Sequence, residues 1–282
     1  LKVFRFSSAA RSLLEALENK GEVSSSSAST VQRLLDAGAI HPILDSMTRE
    51  LQPSDVTVVI PVHNGSIEQL SMLVAKVSSA YKILIIDDGS SPALPEIAGT
   101  QVIRRDIAGG PAVARNTAIE HIATTITFFL DADTSLADDS WINLLAHFED
   151  SSVGVVAPRI ASEPGSTLLH RYEASESPLD LGSEPALIRK NSRVSYVPTA
   201  ALMIRTELLR EHQGFNESFR YGEDVDLVWR LLESDVVCRY EPSVVVSHSP
   251  RSSLLDAWKQ RVSYGSAAAP LDQRHRGAAT PL

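Results

Sequence analysis

Two patterns of apolar positions divide the chain. Over its first fifty residues they recur at helical spacing. Ser8 is placed to cap a helix over Ala9–Asn19, with Ala9, Leu13, Leu14 and Leu17 on one face and Gly21 closing it. Ser24–Ser27 is low in complexity and predicts a flexible bridge. A second helix is expected over Ser29–Ala37, stopped by Gly38, with His41–Pro42 beyond it. Pro53-Ser54-Asp55 has the composition of a linker. Residues 1–53 therefore predict a small helical appendage, 54–266 the main domain and 267–282 a C-terminal tail.

From Val56 the pattern changes. Val56–Ile60, Lys82–Ile86, Val102–Arg104, Ile126–Leu130 and Val153–Pro158 are short continuous apolar runs, as in parallel strands buried on both faces. Helical stretches over Ser66–Ala80, Pro111–Ala123 and Asp138–Phe148 separate them, with Pro111 at a helix start. Gly165–Ser195 is polar and interrupted by Pro178 and Pro185, and is expected to be partly mobile. Beyond it come Tyr196–Ile204, helices over Thr206–Gln213 and Glu223–Ser234, strands at Val236–Glu241 and Val244–Ser247, and a last helix over Leu254–Tyr264. This succession predicts an α/β fold: a Rossmann-like, open, mostly parallel sheet flanked by helices.

Composition narrows the function. The 282 residues are 43% hydrophobic and 22% charged, ordinary for a globular domain. A net charge of −9 disfavours non-specific binding to nucleic acid, so no nucleic-acid partner is expected. The single cysteine, Cys238, rules out an intrachain disulfide and fits a reducing compartment. It is expected to pack as a small apolar residue. No apolar run approaches the roughly 18 residues of a membrane span. The chain begins at Leu1 rather than Met, and Gly277–Leu282 is rich in Ala and Pro. It reads as part of a longer protein, cytoplasmic, with membrane association only through segments outside it.

Ligands of open α/β sheets bind beyond the carboxyl ends of the strands. Polar clusters follow three of these strands: Pro61-Val62-His63-Asn64-Gly65, Asp87-Asp88-Gly89-Ser90-Ser91, and Asp131-Ala132-Asp133. Asp131 and Asp133, two apart on an extended backbone, would point the same way. Their mutual repulsion calls for a cation, and hard oxygen donors suit Mg2+ or Mn2+. Asp87-Asp88-Gly89-Ser90-Ser91 is equally a turn composition, or one of its carboxylates could bond a nucleotide base or ribose. Gly109-Gly110-Pro111 opens a helix whose glycines would let an anionic ligand approach the N-terminus. Arg115, one turn in, is either a surface ion-pair partner or a nucleotide contact. Glu223 and Asp224 lie in the first turn of a helix, where the dipole favours carboxylates. A carboxylate at the mouth of that helix, facing the Asp131 and Asp133 site, could also act as a general base. His248 ends an apolar strand and is a candidate metal ligand. Neither G-x-G-x-x-G nor G-x-x-x-x-G-K-[ST] is present.

In this order, Pro-Val-His-Asn, Asp-Asp-Gly-Ser, Ala-Arg-Asn, Asp-Ala-Asp and Gly-Phe…Gly-Glu-Asp-Val-Asp-Leu…Arg resemble family 2 glycosyltransferases of the GT-A fold, over Val56–Tyr264. The resemblance implies that Pro61, Asn64 and Asp88 line the nucleotide pocket, with Arg115 near base or phosphate. It implies Asp131 on ribose or metal, Asp133 on the metal that bridges the diphosphate, His248 on the same metal, Asp224 as the base and Glu223 beside it. Position 63 is His where many relatives carry Tyr or Phe. Tyr221–Arg230, Tyr264–Leu271 and Leu34–Pro42 are similar to the mycofactocin-system glycosyltransferases of actinobacteria. That likeness implies an inverting transfer of glucose from a UDP-sugar to a hydroxyl of a peptide-derived redox cofactor, and makes the N-terminal segment the end of a small peptide-binding-like domain. The rival readings are a nucleotidyltransferase that makes a sugar nucleotide and a non-catalytic nucleotide-sugar-binding module.

Overall fold

A computed structural model of the chain describes residues 6–19, 24–44, 47–163, 165–249 and 253–276. The chain separates into two compact units, Leu1–Ile43 and Leu44–Leu282. In the first, helix α1 (Ser8–Glu18) is capped by Ser7, one residue before the expected cap, whose hydroxyl accepts from the Ala10 N–H at 3.3 Å. Its expected stop, Gly21, lies outside the described residues. The serine bridge is a 3₁₀ turn, Ser25–Ser27, rather than a flexible link. Helix α2 (Ala28–Ala37) ends at Gly38, whose φ of 68° suits a residue without Cβ.

The second unit holds a nine-stranded sheet. Its strands are β1 (Val56–Val62), β2 (Lys82–Asp88), β3 (Gln101–Arg105), β4 (Ile126–Leu130), β5 (Thr134–Leu136), β6 (Val153–Ser162), β7 (Ala186–Leu187), β8 (Ala201–Arg205) and β9 (Val237–His248). The order is β3-β2-β1-β4-β8-β6-β9-β5, with β7 on β9. The first four strands are mutually parallel, β8 runs against β4 and β6, and β9 is parallel to β6. The carboxyl ends of β1, β2, β4, β6 and β9 therefore share one edge.

Side chains alternate across the sheet and build two cores. Val58, Ile60, Ile85 and Phe128 pack on one face with helix α3 (Ile67–Lys76) and a 3₁₀ helix, Ser140–Glu149, the latter expected as an α-helix. Val59, Leu84, Ile86 and Phe129 pack on the other with α4 (Pro111–Ile119), α6 (Thr206–Glu211) and α7 (Glu223–Glu233). Cys238 is buried in β9.

Some boundaries differ from the sequence pattern. The two strands expected around Pro242 are one, β9, because a register shift opposite Pro158 and Arg159 absorbs the interruption. The strand expected in Tyr196–Ile204 begins only at Ala201 and runs to Arg205. The polar stretch carries a helix, α5 (Leu168–Glu176). After α8 (Leu254–Ser266), the expected tail carries α9 (Ala268–Arg274). Leu271 and Ala267 pack there with Val225, Trp229 and Phe219. Among the described residues no helix is long and apolar enough to cross a membrane.

Candidate active site

The two aspartates that end β2 have different partners. Asp87 is fully buried; its carboxylate accepts from the Ser90 N–H at 2.9 Å, the Leu94 N–H at 3.0 Å and Arg104. Burial alone would raise its pKa, but these donors together pull it down to about 2. Asp88 accepts from the Gly109 N–H at 2.9 Å, the Gly110 N–H at 2.7 Å and Arg105 Nε at 2.8 Å. The N-terminus of α4, expected to receive a ligand's anion, thus receives the chain's own carboxylate. Gly89, between the two clusters, has φ 70°, and a Cβ there would lie 2.6 Å from the Ala108 nitrogen.

The loop after β1 closes onto this turn. Ser90 Oγ accepts from the Asn64 N–H at 2.9 Å, and Asn64 Oδ1 accepts from the Ser91 N–H at 2.8 Å. His63 Nδ1 lies 2.7 Å from the Asp88 carbonyl oxygen. Beside them opens a cleft of about 140 Å³, lined by Asn64, Gly65, Ser90, Ser91 and Leu94 among others. Pro61 is partly exposed on β1.

Asp131 and Asp133 have different partners. They sit in a turn rather than on an extended backbone, because Thr134 donates its N–H (3.1 Å) and its hydroxyl (2.7 Å) to the Asp131 carbonyl. Asp131 Oδ1 accepts from Arg115 Nη2 at 2.7 Å. Asp133 Oδ2 lies 3.2 Å from His248 Nε2, since β5 pairs with β9 and places Thr134 opposite His248. Arg115 thus supplies an internal cation to Asp131.

Arg115 is 3% exposed, so it is not a surface ion-pair partner. Its Nη1 donates to Glu223 Oε1 at 2.9 Å, and its guanidinium lies 5.5 Å from the centre of the Phe215 ring. Glu223 and Asp224 open α7 behind Gly222, whose φ is 81°. A Cβ at Gly222 would come within 3.0 Å of Ala267 and Leu271, so the close approach of α9 requires glycine here. Asp224 keeps part of its surface open but is crowded by protein. Loss of water and the neighbouring Glu223 charge raise its pKa to about 7, against N–H donation from Val225 and Thr199 and the Arg115 charge. The Tyr196 phenol, largely desolvated, is in turn pushed up by Asp224.

Sequence reasoning did not single out Tyr196, Thr199 or the anchor of α9. Asp226, fully buried on α7, receives Arg230 Nε at 2.8 Å, Arg274 Nε at 2.6 Å and His275 Nε2 at 2.9 Å. The spacing of Asp226 and Arg230, four apart on a helix, was the available signal. Among the described residues no three His, Cys, Asp or Glu side chains gather as a metal-holding group.

Comparison with known proteins bears on the family and the fold. The chain is 39% identical, over all of its length, to the pre-mycofactocin glycosyltransferase of Mycobacterium tuberculosis, and spans 60% of that protein. A mannosyltransferase from Pyrobaculum calidifontis, solved with GDP-Man and Mn2+, superposes with a TM-score of 0.55 at 16% identity, over 80% of this chain and 69% of that one. GalNAc-T7, solved with UDP, GalNAc and Mn2+, gives 0.52 at 16% identity, over 70% and 44%. These likenesses show the GT-A fold. The model of "Glycosyl transferase family 2" matches residues 57–212, more than half of the chain. The chain belongs to that family and stands close to its mycofactocin-system members.

Proposed function

We propose that the chain carries the catalytic site of an inverting glycosyltransferase that moves glucose from UDP-glucose to an acceptor hydroxyl. One observation supports this reading: Asp131, after β4, and Glu223, at the mouth of α7, bond the same guanidinium, and the Asp224 charge acts on it too. The acceptor hydroxyl attacks the anomeric carbon, the bond from that carbon to the diphosphate breaks, and the hydroxyl proton passes to Asp224. A base near neutrality is ionised often enough to take that proton and basic enough to hold it, an effect of roughly 10²–10⁴-fold. Glu223 stands beside it at the acceptor.

Pro61, Asn64 and the loop held by Asp88 would bound the nucleotide, with the cleft lined by Asn64 and Ser90 as its seat. Asp131, partly open to solvent, faces the ribose. Asp133 and His248 offer a carboxylate oxygen and an imidazole nitrogen side by side, a donor pair that fits Mn2+ or Mg2+ when the diphosphate supplies the other oxygens. Bound there, the ion would neutralise charge on the departing diphosphate. The likeness to the mycobacterial enzyme supports a peptide-derived acceptor of mycofactocin type.

Calorimetric titration of UDP, GDP and UDP-glucose, with Mn2+ and then with chelator, tests the reading. Binding of UDP and UDP-glucose that needs Mn2+ and is lost in Asp133→Ala is expected. Preference for GDP would refute the donor assignment, and absence of all nucleotide binding would refute the site.

A further inference from the structure

The proposed reading leaves unexplained why a buried arginine spans the site. We propose that Arg115 is a positioning residue: it ties the donor-side Asp131 to the acceptor-side Glu223 and thereby fixes the base relative to the strand end, rather than contacting the donor. This inference rests on the reading of Asp224 as the base.

The geometry supports a strut. Both Nη atoms are committed, at 2.7 Å to Asp131 and 2.9 Å to Glu223, on elements that reach the site from opposite sides of the chain order. Its Nε is buried with no hydrogen-bond partner among the described residues, a cost borne to keep the fork in place. The fork is held from below as well. Phe215 lies under the guanidinium and meets Phe129 edge-on at 5.3 Å between ring centres, and Phe129 is two residues before Asp131. A planar guanidinium can hold two carboxylates in fixed directions, which an ammonium cannot.

The strut also bears on the proton transfer. The groups that face Asp224 are Glu223 on its own helix, Arg115 from α4, and the Tyr196 phenol and Thr199 N–H from the segment before β8. Arg115 is the cation among them. Its removal leaves Asp224 facing Glu223 uncompensated, so the base gains a proton more readily.

Arg115→Lys and Arg115→Met are compared with the unaltered chain in two measurements. UDP affinity is measured calorimetrically, and UDP-glucose hydrolysis is followed from about pH 5 to about pH 9. The expected result is UDP affinity within about threefold and turnover lower by about 100-fold in both variants, as for a displaced catalytic group. In Arg115→Met the acid limb of the profile also moves to higher pH. Arg115→Lys, which keeps the charge without the fork, is expected to restore the limb but not the turnover. Full turnover in Arg115→Lys, or a tenfold loss of UDP affinity with unchanged turnover, would overturn the inference. If Arg115→Met does not fold, the lysine variant decides. If the unaltered chain binds no UDP, the reading of the site falls first and this inference with it.

Discussion

Asp87, at the end of β2, and Asp224, at the mouth of α7, lie at the same edge of the sheet, yet their surroundings push them in opposite directions. Asp87 has lost all contact with solvent but accepts two backbone N–H groups and the Arg104 charge, and its pKa falls to about 2. Asp224 keeps part of its surface, yet its donors do not offset desolvation and the Glu223 charge, and its pKa rises to about 7. Each has two backbone N–H donors; what separates them is that Asp87 also takes direct side-chain bonds from Ser90 and Arg104, whereas at Asp224 the Glu223 charge adds to desolvation and Arg115 acts only through its charge. A satisfied carboxylate supports a loop. An under-satisfied one is available for a proton.

The comparison breaks most visibly at Asp224. Asp224→Asn keeps the shape and removes the proton acceptor, so sugar transfer is expected to fall roughly 10²–10⁴-fold with UDP affinity intact. Near-normal turnover in single-turnover assays would remove Asp224 from the chemistry.

Thermal stability sharpens the same contrast, because the two asparagine variants should move it in opposite directions. Asp87 releases its proton more readily folded than unfolded. Its contribution is complete above about pH 4 and disappears as pH falls through about 2. Asp87→Asn should therefore cost about 1–3 kcal/mol at pH 7, a fall in Tm of about 2–4 °C for each kcal/mol. Asp224 holds its proton more tightly folded than unfolded. Stability accordingly declines as pH rises from about 4 through about 7. Asp224→Asn removes that penalty and should stabilise the fold at pH 8 by on the order of 1 kcal/mol, with a corresponding rise in Tm. Calorimetric melting of both variants at pH 5 and pH 8 reads the two signs. A fall in Tm for Asp224→Asn at pH 8 would mean that its carboxylate is satisfied in a way its neighbours do not suggest.

What could be read from the sequence follows from which interactions are local. Val56–Ile60 and Ile126–Leu130 were legible because a strand buried on both faces must be apolar throughout, whatever surrounds it. That Asp131 and Glu223 approach one another was legible because the order of strands and helices puts their loops at one edge. Arg115 was not, since a helical arginine one turn from a glycine pair has the same local pattern whether exposed or buried. Helix α9 has seven residues and is held by Leu271 against Val225 and Trp229 and by Arg274 and His275 against Asp226. None of those contacts leaves a period in the tail itself. The turn at Asp131–Asp133 depended on Thr134 bonding back to a carbonyl, which spacing alone does not disclose.

Asp88 gives the smallest expected effect and divides a structural from a ligand-binding role most finely. Its carboxylate holds Gly109, Gly110 and Arg105, with 3% of the residue exposed, so on the proposed reading it would act on a nucleotide mainly by shaping the turn. Asp88→Asn leaves one acceptor oxygen for the glycine N–H groups and loses the charge that faces Arg105. A cost of about 1–2 kcal/mol follows, at the lower end for a hydrogen bond to a charged group. UDP affinity should change by less than about tenfold, because the turn is loosened and no ligand contact is deleted. A melting curve and a UDP titration on the same sample distinguish the outcomes. Loss of Tm with modest loss of affinity places Asp88 under the site as its support. Unchanged Tm with affinity lowered well beyond tenfold would mean that its carboxylate turns from the glycines to the nucleotide when the donor binds, and that Asp88 belongs with Asp224 rather than with Asp87.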